Sequence, residues 1–254
     1  RGMTILPDMI VHFDVSRSKS KKAVEQAMTT NQKLFVVTQK SPDIENPDKE
    51  DLFVAGTIVT IKQMTKLQHG LIRVLVDSVE RAELIDLLEN DDFLEAEIST
   101  LNNDDDLENL PEECIEAMTR GLKDAFQKYS QAHGKINKDL IRQLLEQDDL
   151  ERLMNLVPVH ALLKWQKMQQ ILEVSKLSEK YEQILFVLNN EIEVLQIKRE
   201  LVNMAEIAIN NFNTSIREVT NQDFSESELF EEREQQLEYL NRNLSLAVSR
   251  LSRK

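Results

Sequence analysis

The sequence predicts an α+β protein, a small sheet domain with one inserted helix followed by an all-α bundle and long C-terminal helices. Two observations predict it. Between Ile5 and Leu101 the apolar residues fall in short runs rich in β-branched and aromatic side chains, bounded by turn formers. After Pro111 only Gly121, Gly134 and Pro158 interrupt the chain, so the remainder is nearly free of helix breakers.

Met9 to Val15, Leu34 to Thr38 and Gly56 to Ile61 each read as a strand. Gln68-His69-Gly70 divides two alternating runs and ends on a residue that tolerates positive φ, which predicts a hairpin into Leu71 to Val76. Phe93 to Ile98 alternates and closes the set. Between the first two strands, Val24, Ala27 and Met28 lie at helical spacing in Ser18 to Met28, with serines available to cap the start. Such a set builds a small mixed or closed sheet, not a dinucleotide-binding layer. Ser41 to Glu50, with Pro42 and Pro47, reads as an exposed loop.

Asn102 to Asp106, followed by Leu110-Pro111-Glu112-Glu113, reads as a linker running into a helix. Cys114, Ala117, Met118, Leu122, Ala125, Phe126 and Tyr129 then form a helical stripe ended by Gly134. Leu140 to Leu145 begins another, and Val157-Pro158-Val159 breaks the segment after it. From Leu177 an apolar face continues through Tyr181, Ile184, Leu188, Ile192 and Leu195 toward Ile209, on a helix long enough to project beyond a compact bundle. Asp223 to Glu226 interrupts it. Phe230, Leu237, Leu240, Leu244, Ala247 and Leu251 follow heptad spacing with Arg233 in the polar seam position, a coiled coil or the return arm of a helical hairpin. The predicted divisions are 1–103, 104–200 and 201–254.

With 31 Lys+Arg against 45 Asp+Glu the formal charge is −14, which disfavours nucleic acid as a partner. One cysteine allows no internal disulfide and points to a reducing compartment, the cytoplasm. No apolar run approaches the roughly 20 residues of a membrane span, and the start lacks a secretory leader pattern. No phosphate-cradling Gly-rich motif is present, the four histidines are scattered, and no Ser or Cys has a nucleophile-elbow context. No catalytic residue, cofactor or metal ligand is expected. The runs Asp104 to Asp106 and Asp148-Asp149 read as solvated charge or helix caps.

Within this acidic chain, Arg17-Ser18-Lys19-Ser20-Lys21-Lys22 is a basic run. Arg17, Lys19 and Lys22 are candidates for steering an acidic or unstructured polypeptide, set against a solvated helix start. Met3, Met9, Met28 and Met64 either line an adaptable groove or fill the core. Trp165 serves an interdomain contact or ordinary packing.

Ile5-Leu6-Pro7, Phe13 to Ser20, Ala27-Met28, Gln39-Lys40, Asp51 to Thr57, Ile61, Gly70 and Val76 to Leu84 resemble, in order and spacing, the amino-terminal domain of Lon-type ATP-dependent proteases. Ile171 to Ser175, Lys180-Tyr181-Glu182 and Glu191 to Leu195 are similar to the helical bundle that follows in that family. The resemblance implies a β pseudo-barrel, a helical bundle and a long helix leading toward an ATPase and a Ser-Lys peptidase, segments absent from these residues. It implies non-catalytic recognition of unfolded or tagged protein substrates in proteolytic quality control, and a homo-oligomer, hexameric in the family. Ser16 and Ser78 stand where the family usually has glycine, Lys180 where it has arginine, and from about Val202 the sequence leaves the family's pattern. Arg1-Gly2 reads as mid-motif, with residues upstream. The rival readings are a stand-alone adaptor with the same β domain, a hydrolase with an unrecognised spatial site, and a coiled-coil scaffold.

Overall fold

A computed structural model describes residues 2–41, 43–88, 92–102, 106–107, 110–222 and 227–252. The chain forms two compact units, one of Arg1–Gln127 with Ile136–Val187 and one of Lys128–Lys135 with Leu188–Lys254. Asn103 to Asp105 of the expected linker and the break at 223–226 lie outside the described residues.

The first unit is built on five strands: β1 (Ile10–Val15), β2 (Lys33–Gln39), β3 (Leu52–Lys66), β4 (Ile72–Leu88) and β5 (Glu95–Thr100). Every pairing is antiparallel, in the order β1-β4-β3-β2, with β5 added to β4. Where a mixed or closed sheet was expected, the sheet is wholly antiparallel, and no ladder joins β2 to β1 or β5 among the described residues. The β3–β4 hairpin turns at Gln68–Gly70, where His69 (φ 60°) and Gly70 (φ 71°) are left-handed. A bulge sets Ile58 opposite Glu80 and Val59 opposite Ser78, so β4 carries one extra residue there.

Helix α1 (Ser18–Thr29) crosses from β1 to β2 and buries Val24 and Ala27. Its N-cap is Arg17, without a side-chain cap, so the expected serine cap is not used. These two residues join Ile5, Val15, Val59, Ile61, Ile72, Val74 and Val76 in one core, with Met3, Met9, Met28 and Met64 packed on it. The four methionines therefore fill the core; Met3 also reaches the cleft described below.

Five helices follow: α2 (Glu112–His133), α3 (Lys138–Leu145), α4 (Leu150–His160), α5 (Trp165–Glu173) and α6 (Leu177–Asn221), before the last, α7 (Ser227–Leu251). On α2 the covered stripe runs through Leu122, Ala125, Phe126 and Tyr129, whereas Cys114 and Ala117 are exposed. Pro158 does not break α4 on the spot: the helix continues to His160, within a turn of it. One residue of each acidic run caps a helix: Asp149 accepts from Arg152 N at the start of α4, and Asp106 accepts from Ser178 N (3.0 Å) and the Ser178 hydroxyl at the start of α6, while Asp148 pairs with Lys123 (3.0 Å). Those bonds hold the Asp106 carboxyl below its usual range.

A buried polar network fastens α5 to the sheet. Thr4 Oγ1 lies 2.9 Å from Thr38 Oγ1, 3.1 Å from the Trp165 carbonyl and 3.2 Å from Gln169 Oε1, while Gln169 Nε2 donates to Ala55 O (3.1 Å). Trp165 meets Phe53 edge-on at 6.3 Å, so it packs within this unit. Neither Ser16 nor Ser78 has positive φ. The Ser78 hydroxyl instead donates to Leu6 O (2.6 Å) and accepts from Met9 N (2.7 Å), tying the turn before β1 to β4.

In the second unit α7 turns the expected stripe inward, with Leu244 buried and Phe230, Leu237, Leu240, Ala247 and Leu251 half-buried. Arg233 donates to Thr214 Oγ1 (3.3 Å), and Asn211 Nδ2 donates to Glu234 Oε1 (2.7 Å). The covered face of α6 is thus polar at Asn211 and Thr214. Its apolar residues Leu201, Val202, Ile209, Phe212, Ile216 and Val219 are exposed.

Candidate functional site

The end of β1, helix α1, strand β2 and the far ends of β4 and β5 enclose an open cleft of about 740 Å³ in the first unit. The local sequence explains its shape. Alternation on β1 points Phe13 and Val15 inward, and helical spacing on α1 presents Ala23 and Ala27, whose small side chains leave the space unfilled. Across from them, Leu84 and Leu87 of β4 and Ala96 and Ile98 of β5 supply the opposite wall. No residue of β5 is fully buried, because the strand is paired only to β4 and faces the cleft rather than a packed layer.

All of β2 from Lys33 to Gln39 lines the cleft, and its outer edge has no strand partner among the described residues. The walls therefore combine apolar side chains with backbone groups available for pairing. Volume and lining match a site for an extended chain segment or a small apolar ligand.

Of the three basic candidates, Arg17 and Lys19 lie on the rim and Lys22 does not. The Arg17 guanidinium is committed inside the protein: Nη2 donates to Ile44 O (2.8 Å) and to Gln39 Oε1 (3.4 Å), and Gln39 Nε2 donates to the same carbonyl (2.7 Å). Arg17 thus pins the loop after β2 against the rim. Lys22 pairs with Asp92 at 2.5 Å, both more than half exposed, an arrangement of little net energy. It holds the Asp92 carboxyl below its usual range. Lys19 is exposed and makes no ion pair among the described residues.

A second polar centre escaped the sequence reading. Arg81, on β4 beyond the bulge, is 4% exposed, and its Nη1 donates to Leu172 O (2.9 Å) and Val174 O at the C-terminal end of α5. A cation is favoured at that end of a helix, and here it replaces the hydrogen bonds that the last carbonyls lack. Lys180, 6% exposed on α6, donates to Asn155 Oδ1 (2.5 Å), and Asn155 Nδ2 donates to Asp8 Oδ2 (3.0 Å). Burial, then the nearby Arg81 charge, pushes Lys180 down to about 8, against the pull of Glu151 and Asp8. Burial likewise lowers Arg81. Of these residues only Lys180 was marked in the sequence, as a lysine where the family has arginine; Arg81 is one of two basic residues on β4 and gave no signal.

Comparison with known proteins follows the fold closely. A profile of the family described as ATP-dependent protease La (LON) substrate-binding domain matches residues 1–190. The chain is similar to a Lon protease of Lachnoclostridium phytofermentans, 41% identical over 203 residues that cover 80% of this chain and 25% of that protein. It is similar to a Lon protease of Brevibacillus choshinensis, 36% identical over 203 residues, 80% of this chain and 26% of that one. The chain thus spans about a quarter of the length of these curated relatives. Among solved structures, the N-terminal domain of a Mycobacterium avium complex Lon protease aligns with a TM-score of 0.56 at 19% identity, over 75% of this chain and 92% of that one, a likeness of fold.

Proposed function

Because this chain belongs to the Lon substrate-binding domain family, we propose that it captures unfolded or tagged protein segments in the α1–β2–β5 cleft and presents them for ATP-dependent proteolysis. The observation that carries this reading is the cleft itself: apolar walls beside an unpaired strand edge suit an extended, unfolded segment, whose side chains and backbone are both unsatisfied. Recognition is the part this segment plays; ATP hydrolysis and peptide cleavage in cytoplasmic quality control fall to the rest of a longer protein. Lys19 at the rim adds attraction for acidic clients, Arg17 acts by holding the loop, and Lys22 contributes only to the field.

The test is binding of a fluorescent, casein-like unfolded polypeptide to the 254-residue chain. Filling the cleft with Ala23→Trp or Ala96→Trp is expected to weaken binding roughly tenfold or more, by removing the space for an anchoring side chain. Undiminished binding by both variants, with native circular dichroism, would reject the cleft as the capture site.

The same reading includes self-association. Val202, Ala205, Ile209, Phe212, Ile216 and Val219 repeat at heptad spacing on α6, and all six are exposed. Such a seam supports pairing of one copy with another, as a step toward the family's hexamer.

A further inference from the structure

Strand β2 meets the cleft on both of its faces. Its ladder with β3 sets Leu34 opposite Val59 and Val36 opposite Thr57, on the face that joins the core of Val24 and Ala27. Phe35 lies opposite Ile58 and Val37 opposite Gly56, on the other face, which continues through Ala82 to Leu84 and its β5 partner Ile98. Residues of both faces line the cleft. Since β3 occupies one edge of β2, a single continuous space reaches both faces by passing round the other edge. The ladder also fixes which main-chain groups stand on that edge. Ile61 N donates to Gln32 O at 2.7 Å, so these two residues are a hydrogen-bonded pair, and alternation makes Leu34 and Val36 the next residues bonded to β3. Lys33, Phe35 and Val37 therefore turn their N–H and C=O groups away from β3, onto the free edge. Asn31 Oδ1 takes the Lys33 N–H at 3.0 Å. The Lys33 carbonyl and both main-chain groups of Phe35 and Val37 make no hydrogen bond among the described residues. Beyond Val37 the edge is closed, because Thr38 Oγ1 donates to Met3 O (3.3 Å) and lies 2.9 Å from Thr4 Oγ1.

We propose that the cleft holds an unfolded segment by strand addition, through main-chain hydrogen bonds to Phe35 and Val37 along the free edge of β2. Strand addition rests on the cleft being the capture site, and it sets which segments fit there. Side chains of an added strand point alternately to two faces. One set meets Ala23 and Ala27 of α1 and the other meets Leu84 and Ile98, and both walls are apolar. The segment that fills both is a run of consecutive apolar residues, the pattern of a strand buried on both faces in its own folded protein. Main-chain bonding is indifferent to which apolar side chain stands at each position, so many sequences fit. A proline at a bonded position lacks the donor and is rejected. A helical segment is rejected too, since its main-chain groups are already bonded to one another.

Two measurements on the whole chain test this mode, with a soluble peptide whose centre is Val-Leu-Val-Phe-Val between polar ends. In residue-resolved amide exchange of the free chain, Phe35 and Val37 should exchange quickly, while Leu34 and Val36, bonded to β3, exchange slowly. Saturating peptide is expected to slow Phe35 and Val37 roughly tenfold or more, because each amide gains an acceptor. The same peptide N-methylated at three successive central residues keeps its side chains but loses donors on both of its edges. Its affinity should fall roughly tenfold or more, the worth of one or two main-chain hydrogen bonds. Equal binding of the two peptides, or unchanged exchange at Phe35 and Val37 in the saturated complex, would overturn strand addition and leave a cleft that holds its client by side chains alone. A parent peptide that fails to bind where the casein-like polypeptide binds would overturn it as well. Casein-like binding that survives both Ala23→Trp and Ala96→Trp instead removes the cleft as the capture site, so the two failures stay distinct.

Discussion

Arg81 Nη1 lies 2.9 Å from the carbonyl oxygen of Leu172, a residue 91 positions later, so a strand of the sheet supplies the C-terminal hydrogen bonds of helix α5. Replacing Arg81 with Met removes both donors and leaves the carbonyls of Leu172 and Val174 without them. The expected loss is roughly 2–3 kcal/mol of unfolding free energy, the cost of stranding buried acceptors set against relief of a buried charge. Urea unfolding checks it, and an unshifted midpoint would refute the capping role.

Lys180 gives a stability curve of definite sign. Its folded value of about 8 lies below the ordinary lysine value of 10.5, so above about pH 8 the unfolded chain holds the proton that the folded chain has lost. Stability therefore rises with pH across that window. Wild type should gain about 2 kcal/mol over Lys180→Met between roughly pH 7 and pH 9.5. A difference that stays flat or shrinks would show that the ammonium is not desolvated.

Gly56 lies opposite Val37 in the β2–β3 ladder. A Cβ there would stand 2.5 Å from Phe35 Cζ and 2.7 Å from the backbone oxygen of Val36. The ring can swing aside, but the backbone cannot, so Gly56→Ala should cost about 2 kcal/mol or more and loosen β2 from the sheet. Thermal unfolding gives the cost, and client binding should weaken with it because β2 walls the cleft. A fully stable Gly56→Ala would mean the ladder yields more easily than its register implies.

The exposed seam of α6 predicts concentration-dependent association. At about ten micromolar the chain should sediment above its monomer mass, and Phe212→Glu with Ile216→Glu should return it to monomer, since charges in a heptad seam oppose pairing. A wild-type monomer at that concentration would remove the self-association reading.

Legibility in the sequence followed the range of the interactions. The β-hairpin at Gly70, α1 and the inward stripe of α7 depend on neighbours a few residues away, and periodicity displayed them. Strand β4 runs past Val76 to Leu88, which the pattern concealed, because Asp77, Glu80 and Asp86 interrupt the apolar run and the bulge resets the alternation. On α6 the apolar face was read as running toward Ile209 on a projecting helix, and Ile209 is exposed. The structure covers Asn211 and Thr214 instead, because Arg233 and Glu234 of α7 supply polar partners. Arg17 was visible as a basic residue, but its bond to Ile44 rests on the course of a loop. Arg81 reads as a solvated strand residue until α5 is placed over it.

Strand β4, 17 residues long, carries three ladders: β3 along one side, β1 and β5 on successive halves of the other. Any opening that slides or frays its middle dissolves all three at once, leaving only the β2–β3 pair, a two-stranded remnant of marginal stability. Amide protons of β1, β3 and β5 should consequently exchange with solvent at one shared rate, as a single cooperative block rather than strand by strand.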